Sequence, residues 1–105
     1  MNEFTDPDSQ EAVIAKLNQE TSKIAWSKLM PFFAKGMAVY VSHKLDLIKV
    51  AYAFSQDNKT VFEKWTTQGQ VANVTDEQAS AWYESDVTVW CVVVKPFVLV
   101  QPIVD

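Results

Sequence analysis

Arginine is absent from this chain. All nine basic residues are lysines, at 16, 23, 28, 35, 44, 49, 59, 64 and 95, and they are scattered. Nucleic-acid binders concentrate positive charge on one face and use arginine forks for phosphate or guanine. With a net charge of −4 as well, no nucleic-acid partner is expected. Cysteine is nearly absent. Cys91 stands alone, so no internal disulfide framework can form, and a single thiol suits the reducing cytoplasm. The two glycines, Gly36 and Gly69, leave little room for a phosphate-cradling loop. One histidine and one cysteine without paired spacing cannot build a zinc tetrad. Neither a metal nor a cofactor is expected. Long apolar runs are missing too. None approaches the ~20 residues a spanning helix needs, so no membrane segment is expected. The opening MNEFTDPDSQE has no basic or apolar signal region, and a cytoplasmic location follows as the expectation.

What is present fits one domain of 105 residues, 49% apolar and 21% charged. Residues 1–7 read as a flexible acidic head and 8–105 as a single α+β domain. Asp8 with Glu11 resembles a capping box, and Val13, Ile14, Leu17 and Ile24 supply an apolar stripe, so the first helix is expected over about 8–21. Ser27 reads as the cap of a second helix carrying Leu29, Phe32 and Phe33, stopped by Gly36. Pro31 is tolerable there only in the first turn. Leu47, Val50, Ala51 and Phe54 fall at helical spacing. Asp57-Asn58 breaks that helix and caps the next, where Val61, Phe62 and Trp65 repeat the stripe. Residues 70–74 read as a loop or a very short strand. Thr75 to Gln78 has the form of a capping box, with Ala79, Trp82 and Tyr83 behind it.

The run VTVWCVVVKPFVLVQP (87–102) holds seven valines and is apolar on both faces of any strand. Val87, Val89, Cys91 and Val93 share one face; Trp90, Val92 and Val94 share the other. Phe97 and Leu99 oppose Val98 and Val100. Strands of this kind are covered on both sides. Either about five short helices cover both faces, or helices cover one and a second subunit covers the other. Lys95-Pro96 reads as the turn of a hairpin. The architecture expected is a small, mainly antiparallel sheet of about three strands (37–42, 87–94 and 97–102) packed with those helices.

The segments ETSKIAWSKLMPFFAKG (20–36), LDLIKVAYAFSQDN (45–58), QGQVANVTDEQASAW (68–82) and VVVKPFVLVQ (92–101), with Trp65, resemble the uncharacterised bacterial family known as domain of unknown function 2288. The order and spacing of the pieces carry the resemblance. It implies a small stand-alone cytoplasmic protein and imports no activity.

Few residues point to chemistry. His43 and Asp46 flank a strand-to-helix junction and are the candidate acid–base pair. The blander reading, a surface histidine beside a capping aspartate, outweighs it because no further group converges there. Cys91 among valines reads as a buried, inert thiol. Trp26, Trp65 and Trp82 could line a ligand pocket, though core packing explains them as well. The favoured function is therefore non-enzymatic. It is protein–protein contact, with an unknown protein partner or as a homodimer, through Phe97, Val98 and Val100 of the valine-rich sheet. The alternative is a small-molecule-binding protein or small enzyme with an aromatic pocket near His43 and Asp46.

Overall fold

The computed structural model describes residues 9–103. The acidic head at 1–7, and Asp8 of the expected capping box, lie outside them. Helix α1 (Gln10–Glu20) is capped instead by Ser9, whose side chain accepts from the Ala12 N–H. It is followed by strand β1 (Ser22–Ala25), a 3₁₀ turn (Trp26–Leu29), α2 (Met30–Ala34) and β2 (Ala38–Val41). Then come α3 (Leu47–Ser55), α4 (Lys59–Thr67), β3 (Val71–Asn73), α5 (Asp76–Glu84), β4 (Thr88–Val94) and β5 (Phe97–Pro102).

The sheet has five strands, in the order β1-β4-β5-β2-β3, where about three were expected. It is mixed rather than mainly antiparallel, because β2 runs parallel to β5, with Val39 opposite Leu99. The three expected strands stand as β2, β4 and β5 where the alternation of apolar residues placed them, and β4 and β5 form the expected hairpin, Val94 opposite Phe97, through a cis Lys95–Pro96 bond. The two additional strands sit at the edges. Ile24 fits the helical stripe of α1 in sequence, yet Thr21 turns extended and sends Ser22–Ala25 along β4. The second helix correspondingly starts later than Ser27, after the 3₁₀ turn, and Pro31 falls in its first turn.

Helix ends follow local chemistry. Asp46 caps α3, Asn58 caps α4 and Thr75 forms a full capping box with Gln78 on α5. Four helix exits share one hydrogen-bond pattern, in which two successive N–H groups turn back onto the last carbonyls. After α2, Gly36 donates to the Phe33 carbonyl and Met37 to that of Phe32. After α4, Gly69 and Gln70 do the same, and after α3 and α5 the turning residue is an aspartate, Asp57 or Asp86, with φ of 54° and 49°.

Helices of the chain itself cover both faces of the sheet. On the first face, α1 and α3 pack Leu17, Leu47, Val50 and Ala51 over Val39, Val41, Val92 and Leu99, with Phe62 and Trp65 of α4 half-buried against them. On the second, the 3₁₀ turn and α5 pack Trp26, Leu29 and Ala79 over Ala38, Val89, Cys91, Val98 and Val100, with Phe32 and Phe33 of α2 half-buried against them. Val98 and Val100 are fully buried. A valine buried this way stabilises the fold by roughly 1.5–3 kcal/mol, and neither one leaves surface for a partner. The contact surface expected at these two residues is already occupied by the chain's own second layer of helices.

Candidate functional site

His43 and Asp46 lie in the loop that leaves β2 for α3. His43 is exposed. Asp46 spends its carboxylate on the Ile48 and Lys49 N–H groups of α3, the work of a helix cap. A polar hollow of about 430 Å³ lies beside it, lined by Asn18, Thr21, Trp90 and Gln101 among others. Three of its lining residues spend donors internally. Asn18 and Thr21 bond back to the carbonyls of Ile14 and Leu17, and the Gln101 amide donates to the carbonyls of Ser42 (2.9 Å) and Leu45 (2.8 Å). His43 is not among the residues that line the hollow, so the candidate pair does not converge there.

The tryptophans are divided between the faces. Trp26 and Trp82 meet edge to face on the second face, 5.1 Å between ring centroids. Trp65 packs on the first. They do not form one pocket. Cys91 is buried, and burial pushes its thiol pKa up, partly offset by the Ser22 hydroxyl 3.9 Å away. Among the described residues no group of three His, Cys, Asp or Glu side chains could hold a metal ion. Among the described residues no helix is long and apolar enough to cross a membrane.

Phe97 has a different position from its two valine neighbours. It is half-buried at the start of β5, on the first face, 5.3 Å from the ring of Phe54 at the end of α3. Phe54 in turn meets Phe62 of α4 edge to face at 4.6 Å, and Phe62 meets Trp65 at 5.6 Å. Such ring pairs add about 0.5–1.5 kcal/mol beyond burial, which holds the row in place. No residue of α4 is fully buried, so that helix rests lightly on the sheet. A groove of about 330 Å³ opens between the row and β3, floored by Val71 and flanked by Thr66 and Asn73.

The neighbouring strand is an edge. Ser42 N–H donates to Gln70 and Val74 N–H to Ala38, which makes Tyr40 and Ala72 the hydrogen-bonded pair of the β2–β3 ladder. The backbone N–H and C=O of Val71 and Asn73 therefore point away from β2, and among the described residues no further strand lies beyond β3. An aromatic groove thus runs beside two unpaired residues of backbone. The sequence singles out Phe97 and allows a very short strand at 70–74, but Phe54 and Phe62 look like ordinary helix core in sequence.

The model of the family described as a protein of unknown function (DUF2288) matches residues 12–102. The chain belongs to that family. Among solved structures it is similar to the NMR solution structure of PA1075 from Pseudomonas aeruginosa, with 35% sequence identity. The match has a TM-score of 0.79 and covers 96% of this chain and 93% of the other. No curated protein matches the sequence. Family membership accounts for the order of the sequence segments noted above and assigns no reaction to the polar hollow or to the groove.

Proposed function

We propose that the protein acts without catalysis, through protein–protein contact in the cytoplasm, and that the contact forms at the β3 edge. The observation that carries this reading is the pairing of an open strand with an aromatic groove. An extended segment laid along β3 would bond to the outward groups of Val71 and Asn73. Its alternate side chains would enter the groove beside Phe54, Phe62 and Phe97. The edge offers three residues, so the groove supplies specificity and much of the buried area. A second copy of the chain is the first partner to test, since the pairing of two β3 strands would extend the sheet across a two-fold axis.

The test is an NMR concentration series from tens of micromolar upward, with native mass spectra alongside. Self-association should move the amide signals of Thr66, Val71 and Asn73 together as dimer appears. Asn73→Pro removes an N–H that the sheet does not use, so it should abolish the shifts while leaving the β2–β3 ladder intact. A protein that stays monomeric, with these signals unmoved, would rule out self-association at this edge.

A further inference from the structure

The charges of this acidic chain are unevenly laid out. Residues 21–45 contain Lys23, Lys28, Lys35 and Lys44 and no carboxylate, and residues 87–104 contain Lys95 and no carboxylate. The fold brings parts of these two segments together at one end of the second face. There α2 and the β4–β5 turn enclose a cleft of about 200 Å³, lined by Pro31, Phe32, Lys35, Met37 and Pro96. Its walls are tied to each other. Met37 donates to the Phe32 carbonyl at 2.8 Å and accepts from the Val98 N–H at 2.9 Å, so the exit of α2 is bonded to β5. Among the described residues, nonetheless, nothing covers the floor. No residue of α2 is fully buried, Pro31, Lys35, Lys95 and Pro96 are exposed, and Phe32 and Met37 are half-buried.

Small-molecule sites run to about 300–1,000 Å³. This cleft is smaller and suits a single inserted side chain. Lys35 stands in its lining, and Lys95 immediately precedes Pro96 in the turn. We propose that the cleft binds an acidic peptide segment through one aromatic side chain. The ring would sit against Phe32, Met37 and Pro96, and flanking carboxylates would meet Lys35 and Lys95. Charge complementarity identifies the occupant, because neither wall-forming segment contributes a carboxylate that would repel it. The site lies on the opposite face from the β3 groove and does not depend on it.

The probe is the blocked hexapeptide EFTDPD, one phenylalanine among three carboxylates, titrated into the isotope-labelled full chain and followed by NMR. The neutral peptide QFTNPN and a short single-stranded oligonucleotide serve as comparisons. Binding should move the amide signals of Phe32, Lys35, Met37 and Val98. Lys35→Glu, at an exposed position, should weaken it about tenfold, as should added salt or the neutral peptide. Asn73→Pro should leave it unchanged, which separates this site from the edge contact. Equal binding of the neutral peptide, equal displacement by the oligonucleotide, shifts centred on Phe54 and Phe97, or no shifts at millimolar peptide would each overturn the proposal.

Discussion

The indole N–H of Trp26 donates to the Ala79 carbonyl across 3.1 Å, with the tryptophan fully buried. That bond joins the 3₁₀ turn after β1 to the first turns of α5, two pieces of chain that flank opposite ends of the sequence of strands. The ring is further boxed by Phe33 at 6.1 Å and Trp82 at 5.1 Å, both edge to face.

Trp26→Phe should therefore destabilise the protein by about 2–4 kcal/mol, from one lost hydrogen bond and an unfilled volume beside it. The matched change Trp82→Phe should cost less, since Trp82 is half-buried and no hydrogen bond of its indole supports the core. Urea unfolding of the two variants compares them directly. Equal costs would mean that the Trp26–Ala79 bond contributes nothing beyond ring packing.

Asp86 occupies a left-handed turn with φ of 49°, where a side chain costs about 1–2 kcal/mol relative to glycine. Glycine gives back part of that gain in unfolded-state entropy. Asp86→Gly is expected to raise stability by about 0.5–1 kcal/mol, and Asp57→Gly, at φ of 54°, by a similar amount. A thermal melt that moves down rather than up would show that the aspartate side chain contributes a local interaction larger than the strain.

Cys91 should react with a thiol reagent only through opening of the structure. Its folded pKa is raised by burial above the ordinary thiol value, with Ser22 a smaller opposing influence. A raised pKa in the folded state adds stability that is complete below the unfolded thiol's pKa of about 8.5 and is lost as pH rises past it. Stability should therefore fall with pH from that point, and Cys91→Ala should flatten the fall. Paired urea titrations at neutral and alkaline pH measure this; an identical alkaline slope in wild type and variant would sink it.

The parts legible in sequence were those governed by near neighbours. Asp46, Asn58, Thr75, Gly36 and Gly69 act within a turn of their own positions, so caps and stops could be read directly. The alternation in 87–102 likewise separated, within each strand, Trp90, Val92 and Val94 from Val89 and Cys91, and Phe97 and Leu99 from Val98 and Val100, as the two packed faces do. The edge strand β1 was hidden for the opposite reason. Ser22–Ala25 becomes a strand because Thr88–Cys91 lies alongside, and nothing in TSKIA itself prefers that to the end of a helix. Two-sided apolarity in β5 allowed either a partner or a second layer of helices. Only the packing of Trp26, Leu29 and Ala79 decides in favour of the latter. The aromatic groove depends on three phenylalanines at 54, 62 and 97 meeting in space, a relation no local pattern encodes.

The strand order carries a consequence for how the chain acquires its shape during synthesis. Ser22 pairs with Cys91 and Ala38 with Val98, so the strands made early wait for those made late. When β4 has emerged, the sheet can hold two separate ladders, β1 with β4 and β2 with β3. Only β5 joins them, as the neighbour of both β4 and β2. Long-range closures of this kind are slow and leave apolar strands uncovered meanwhile. A chain cut short before Phe97 can form two unconnected ladders rather than a slightly smaller sheet.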